Sequence, residues 1–211
     1  QKPTLLHVRR LNALVRHAQR TPQRLVYPPM EDGGTLEVHT DSGFRREESD
    51  EGIVTGRGTN GINYLRLGRA QSTGIGEKPC HLIDWKVGTL KQVTRSTFTS
   101  EGLGMVAAVD NTTVLVGMLH EIAHGPVTPA DGVRLLETGS DVMRSVICTD
   151  ALNIITILES EHMKCPTEKS FLTYLLWIRD KLAKGAISEL QWVTTRDMNA
   201  DGHTKGAIPR D

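Results

Sequence analysis

The hydrophobic period of this chain changes once, and that change constrains the fold more than any other feature. Leu36-Glu-Val-His-Thr-Asp41 alternates apolar and polar residues, the two-residue period of a strand with one face on a core. Ile62 to Leu67 and His81-Leu-Ile-Asp-Trp85 read as two further strands, set off by polar, glycine-rich segments at 42–61 and 68–79. Three strands in succession predict an antiparallel meander. From Thr97 to Ala123 the period becomes helical, with Leu103, Val106, Val109, Val114, Met118 and Ile122 three to five residues apart. The pattern predicts one long helix, weakened at Asp110-Asn-Thr-Thr113 and ended by Gly125-Pro126.

Shorter elements follow. Residues 127–143 read as a loop, Val146 to Asp150 as a short buried strand, and Ala151 to Leu158 as a helix. Phe171, Leu175, Ile178 and Leu182 mark another helix, Leu190 to Thr194 a last strand, and a helical turn runs on to Lys205. A meander followed by alternating helices and strands predicts an α/β fold: a mixed five-stranded sheet with flanking helices.

An N-terminal extension precedes this unit. Residues 1–24 hold Lys2, Arg9, Arg10, Arg16, Arg20 and Arg24 and no acid, while Leu5, Val8, Leu11, Val15 and Ala18 recur at helical spacing up to Pro22. This is a basic amphipathic helix, suited to packing on a neighbouring domain or to touching a phosphate backbone. With the turn-forming segment 28–34 as linker, the expected organisation is 1–34 and 35–211. The 25 basic and 25 acidic residues balance, which excludes a uniformly basic nucleic-acid binder but not a local patch. Aromatics are only 4%, so the core must be aliphatic, and Trp85, Trp177 and Trp192 are expected within it. Cys80, Cys148 and Cys165 form no disulfide framework and no metal-type spacing, and are expected as reduced core thiols of an intracellular protein. No apolar run approaches 18 residues, so no membrane span or membrane partner is expected. Gln1 in place of Met suggests a piece of a longer polyprotein.

Four acids fall where an acidic metal site would be built. Asp41 and Asp150 end strands, Glu101 lies in the first turns of the long helix, and Asp201 starts the last helical turn. Strand ends and helix starts are where such a sheet exposes its site. Carboxylates brought together repel unless a cation neutralises them, and hard oxygen ligands suit Mg²⁺ or Mn²⁺. Two such ions can serve phosphodiester hydrolysis. A second motif competes: His120-Glu121-Ile-Ala-His124 fits the H-E-x-x-H pattern of zinc metallopeptidases, two His one helical turn apart with Glu as base. Its third ligand would have to be Glu159, Glu161, His162 or a similar residue. The alternative for the His pair is a helix C-terminus whose dipole favours their charge.

Longer stretches carry a family resemblance. Leu36-Glu-Val-His-Thr-Asp-Ser-Gly-Phe44, Asp84-Trp-Lys86, Arg95-Ser-Thr-Phe-Thr-Ser-Glu101, Cys148-Thr-Asp150 and the closing Ala200-Asp-Gly-His-Thr-Lys205 resemble the ribonuclease H domain of copia-type LTR retrotransposon polymerase polyproteins. His7 to Arg16 and Leu25-Val-Tyr27 resemble the helix that ends the reverse transcriptase portion. The resemblance implies a ribonuclease H-like fold, with Asp41, Glu101, Asp150 and Asp201 as catalytic ligands of two Mg²⁺ or Mn²⁺ ions. It implies cleavage of the RNA strand of an RNA–DNA hybrid during reverse transcription. The reverse transcriptase portion of the same polyprotein is the implied partner, in a cytoplasmic particle or the nucleus. Arg45, Arg46, Lys86, Arg95 and Lys205 are then placed to grip nucleic-acid backbone, as is Lys91. Three departures stand out: Gly102 and Gly104 replace better helix formers at about 1 kcal/mol each, the 42–61 loop is long, and residues 185–200 lack the His that ribonucleases H often place before the last acid. His203 is the nearest substitute, expected at the surface. The other reading is a catalytically decayed binding or connecting module.

Overall fold

The computed structural model describes residues 4–22, 25–27, 29–30, 33–44, 58–68, 79–163 and 165–204. Helix α1 (Leu5–Arg20) is followed by strands β1 (Thr35–Gly43), β2 (Thr59–Leu67) and β3 (Cys80–Thr89). Next come α2 (Thr97–His124), α3 (Pro129–Thr138), β4 (Arg144–Thr149), α4 (Leu152–Glu159), α5 (Leu172–Ala183), β5 (Glu189–Trp192) and α6 (Asp201–Thr204). The strands form one sheet in the order β3-β2-β1-β4-β5. β1 pairs antiparallel with β2 and β2 with β3, while β4 runs parallel to both β1 and β5. This is the expected mixed five-stranded sheet with flanking helices. α1 exposes its apolar side chains, from Leu5 to Val15.

The alternation in β1 sets which face meets the core. Leu36 and Val38 are fully buried with Ile62, Ile147, Met105, Ala108 and Val109. Each large aliphatic side chain so buried contributes about 1.5–3 kcal/mol. Beyond Val38 the alternation stops, and His39, Thr40, Asp41 and Ser42 are all buried. Both faces of the sheet are therefore covered at the end of β1.

α2 begins at Ser96, whose hydroxyl accepts from the Thr99 N–H at 3.2 Å, an N-cap worth about 1 kcal/mol. It ends at Gly125, whose positive φ of 89° and N–H to the Glu121 carbonyl close the last turn. The helix is long and apolar enough to cross a membrane by those criteria alone, although no such segment was expected from the sequence. Here eleven of its residues, Thr99 to Val116, are buried within the fold. It also runs unbroken through the segment expected to weaken it. Asn111, Thr112 and Thr113 turn their side chains back onto the carbonyls of Ala107, Ala108 and Asp110, satisfying themselves without opening the helix.

Gly102 and Gly104 find their reason in packing. A Cβ on Gly102 would lie 2.0 Å from Phe171 Cζ, and one on Gly104 would lie 2.1 Å from Ser42 Oγ. The helix needs bare backbone there to approach its neighbours. The expected loop at 127–143 contains a helix instead, α3. Thr128 caps it by accepting from the Asp131 N–H, and Pro129 opens its first turn. Only Leu135 of α3 is buried, so hydrophobic periodicity was a weak signal for it.

The thiols divide differently from expectation, with Cys148 buried and Cys80 and Cys165 exposed. Burial, aided by the charges of Glu37 and Glu189, pushes the Cys148 thiol up to about 12 from an ordinary 9.0. Burial likewise pushes Tyr64 from 10.0 up to about 12. Between pH 9 and 12 the unfolded chain sheds a Cys148 proton that the folded chain keeps. The associated stability is full below pH 9 and falls as pH rises through that window. Cys148→Ala is expected to flatten alkaline destabilisation over this range, read by urea midpoints at successive pH values. An unchanged slope would refute the assignment.

Candidate metal and catalytic centre

Three of the four predicted acids converge. One carboxylate oxygen from each of Asp41, Asp150 and Asp201 lies within 4.8 Å of the others. Asp41 is 1% exposed and Asp201 9%, while Asp150 is half-buried. The architecture brings them together from three directions. β1 and β4 are adjacent and parallel, with His39 opposite Cys148, so Asp41 and Asp150, each two residues further on, emerge at the same end of the sheet. Asp201 arrives on the short helix α6, which packs on β1 and β2.

Gly61 makes that docking possible. It sits directly opposite Asp41 in the β1–β2 pair. A Cβ there would lie 2.5 Å from His203 Cβ and 3.2 Å from the Ala200 carbonyl oxygen, so a larger residue would push α6 and Asp201 off the sheet. His203, expected at the surface, is half-buried, and its Nε2 lies 2.8 Å from Asn63 Oδ1 on β2. It fastens α6.

Glu101 is the fourth acid. Its Oε2 accepts the backbone N–H of Ser42 at 3.1 Å, which ties the first turns of α2 to the residue after Asp41. Ser42 in turn donates its hydroxyl to Asn60 Oδ1 at 3.1 Å. All four acids singled out from the sequence thus lie at one end of β1, three within mutual ligand reach and Glu101 held beside them.

Hydroxyls orient the carboxylates. Thr204 donates to Asp41 Oδ2, and Thr195 donates to Asp150 Oδ2 at 2.9 Å. Trp192 Nε1 donates to the Asp150 carbonyl at 3.3 Å. No role had been given to either threonine, although Thr204 stands in the closing Asp-x-x-Thr pattern. A threonine one helical turn after an acid is the signal that was available.

The donor set fits a hard divalent cation. It consists of oxygens alone, and clustered carboxylates in a largely buried site favour neutralisation by Mg²⁺ or Mn²⁺. Asp41, Asp150 and Asp201 would hold such ions, with Glu101 adjoining.

The basic residues divide. Arg45, Arg46 and Lys205 lie outside the described residues, as does most of the 42–61 loop. Lys86 and Lys91 are exposed and line a cavity of about 340 Å³ between β3 and α2, whose wall includes Asn60. Arg95 is exposed just before α2, its N–H bonded to Glu168 Oε1 at 3.1 Å. Two of the three tryptophans also differ from expectation, while Trp177 packs against the core as expected. Trp85 is 58% exposed and Trp192 47%. β3 is an edge strand, and Trp85, paired with Asn63, shares the face that carries Asp41.

The H-E-x-x-H residues end α2. Glu121 Oε1 accepts the Val127 N–H at 3.3 Å, which gives it a capping role after the helix. The third residue grouped with His120 and His124 is Asp141, not Glu159, Glu161 or His162.

No family model matches the chain, and no curated protein matches it. Among solved structures it is similar to the N-terminal RNase H domain of a Mycobacterium tuberculosis protein, at TM-score 0.44 and 12% identity, covering 82% of this chain and 91% of that one. It is similar to RNase H1 from the halophilic archaeon Halobacterium salinarum, at TM-score 0.45 and 10% identity over 81% and 94% of the two chains. It is also similar to an RNase H1 isolated from compost by a metagenomic approach, at 0.45 and 13% over 83% and 96%.

Proposed function

We propose that this chain is an endonuclease that hydrolyses the RNA strand of RNA–DNA hybrids with the help of divalent metal ions. The observation that carries the reading is the convergence of Asp41, Asp150 and Asp201 within 4.8 Å, with Glu101 bonded to the neighbour of Asp41. The buried Asp41 and Asp201 and the half-buried Asp150 turn their carboxylates toward one another, an all-oxygen cluster that suits a divalent cation.

Mg²⁺ or Mn²⁺ ions held by Asp41, Asp150 and Asp201, with Glu101 adjoining, would supply an activated water and stabilise the leaving 3′ oxygen. The chain's own contribution is positioning. Asp41, buried and central, would be one of the residues holding the ions, and the Thr204 hydroxyl holds its carboxylate plane. Thr195 does the same for Asp150. The Ser42 N–H keeps Glu101 turned toward the site. Lys86, Lys91 and Arg95 are assigned to phosphate contacts on the flanking surface, which fix register without reading sequence. Arg45, Arg46 and Lys205 complete that assignment. In this reading residues 1–34 are the join to a reverse transcriptase portion of a copia-type polyprotein, and residues 35–211 the nuclease.

The test is cleavage of an end-labelled RNA–DNA hybrid with Mg²⁺ or Mn²⁺, wild type beside Asp150→Asn. The expected result is internal cuts in the RNA strand only, lost in the variant. A folded wild type that cuts with neither metal would overturn the reading in favour of a non-catalytic binding or connecting module.

A further inference from the structure

We propose a second metal site, for a single zinc-class ion, formed by His120, His124 and Asp141 at the far end of α2. One ring nitrogen of each histidine and one carboxylate oxygen of Asp141 lie within 4.8 Å of one another. His120 Nδ1 is 3.7 Å from Asp141 Oδ1, and the two rings are 4.7 Å apart between centroids. Zinc bound at about 2.0–2.2 Å to tetrahedral N and O ligands separates them by roughly 3.3–3.6 Å. The site is therefore near closure before any ion enters. His124 and Asp141 are exposed, so their side chains can rotate to close donor separations that all lie within 4.8 Å, and solvent can fill the fourth position.

The surroundings favour the ion. The last carbonyls of α2 have no helical N–H partners and carry the negative end of the helix dipole, which attracts a dication but does not by itself select one. Ser140 Oγ lies 2.8 Å from His120 Nδ1 and also accepts the Val142 N–H at 3.1 Å. This bond holds the His120 ring on the turn that carries Asp141, and an ion taking the same Nδ1 would displace the Ser140 hydroxyl from it. Two basic side chains border the site, and both are bonded elsewhere: Arg134 reaches Asp131 at 3.3 Å, and Arg66 reaches the Gly33 carbonyl at 3.3 Å. Nitrogen donors in the set select a zinc-class ion over Mg²⁺ or Mn²⁺.

This is a structural clip rather than a peptidase centre. The general base of the peptidase pattern would be Glu121, and its carboxylate is occupied by the Val127 N–H. An ion here would join the end of α2 to the turn between α3 and β4. The nineteen residues from Glu101 to His120 along one helix put it about 28 Å from the acid centre, so the two sites are separable.

The experiment is zinc stoichiometry and cobalt absorption on the full chain, with thermal unfolding with and without zinc. The expected result is one zinc per chain, a tetrahedral cobalt band, and a zinc-dependent rise in Tm. His124→Asn and Asp141→Asn should each weaken zinc binding at least about tenfold and abolish that rise. Both positions are exposed, so the variants fold, which far-ultraviolet dichroism checks. Absence of zinc binding at micromolar concentration would overturn the proposal, as would binding unchanged in His124→Asn.

Discussion

Asp41→Asn is expected to lower hybrid cleavage by at least about 10³-fold, a loss near 4 kcal/mol of transition-state stabilisation, and to make the metal-free protein more stable. The two effects share one cause. Asp41 is almost fully buried with two other carboxylates within 4.8 Å. At an effective dielectric near 20, two full charges at that separation repel by roughly 3 kcal/mol. An amide keeps the shape and can still accept from Thr204, but it removes one of three negative charges held close together. Thermal unfolding in chelator should therefore show a higher Tm for Asp41→Asn than for wild type. Added Mg²⁺ should raise the wild-type Tm and leave the variant almost unmoved. A purely structural acid would give the reverse pattern: lower stability on substitution and no metal dependence. If the variant cuts hybrid at the wild-type rate, Asp41 is not part of the chemistry. If it is less stable than wild type in chelator, the carboxylates are not in mutual repulsion.

How much of this was readable beforehand varies with the physics of each element. The core face of β1 was legible, because Leu36 and Val38 repeat at the strand period and bury on one side. The four acids were legible as residues at element ends. What joins them was not. The placement of Asp201 over Asp41 depends on the register that sets Gly61 opposite Asp41, and register is a property of pairing that no single strand displays. Trp85 was expected in the core because it ends an apolar strand. Its exposure follows from β3 lying at the edge of the sheet, and strand order is not written in local pattern. α3 was missed although Thr128, Pro129 and Asp131 spell a helix start. Capping chemistry was the stronger signal there, and periodicity the weaker. Gly102 and Gly104 looked like weaknesses because helix propensity counts only the helix itself.

That last point yields the second large effect. Gly102→Ala would, by propensity alone, stabilise an exposed helix by about 1 kcal/mol. Here the new Cβ would sit 2.0 Å from Phe171 Cζ and 2.6 Å from Cε1. Phe171 cannot simply turn aside. Its side chain is 2% exposed, packed edge-on to Phe98 at 5.6 Å between centroids and tilted against Tyr174 at 5.9 Å. Either the ring leaves its well or α2 backs away, and overpacking of this kind costs about 1–3 kcal/mol. The expected net change is therefore destabilisation by up to about 2 kcal/mol, read as a lower urea midpoint with an unchanged m-value. Catalysis should report the same movement, because Glu101 is the adjacent residue and its carboxylate depends on the Ser42 N–H at 3.1 Å. A helix displaced by a fraction of an ångström stretches that bond, so cleavage should fall even at temperatures where the variant is fully folded. Gly104→Ala makes the complementary case, since its Cβ meets Ser42 Oγ on the other partner of the same bond. A Gly102→Ala protein that is more stable than wild type would show that α2 is not held against Phe171, and that this packing does not set the position of Glu101.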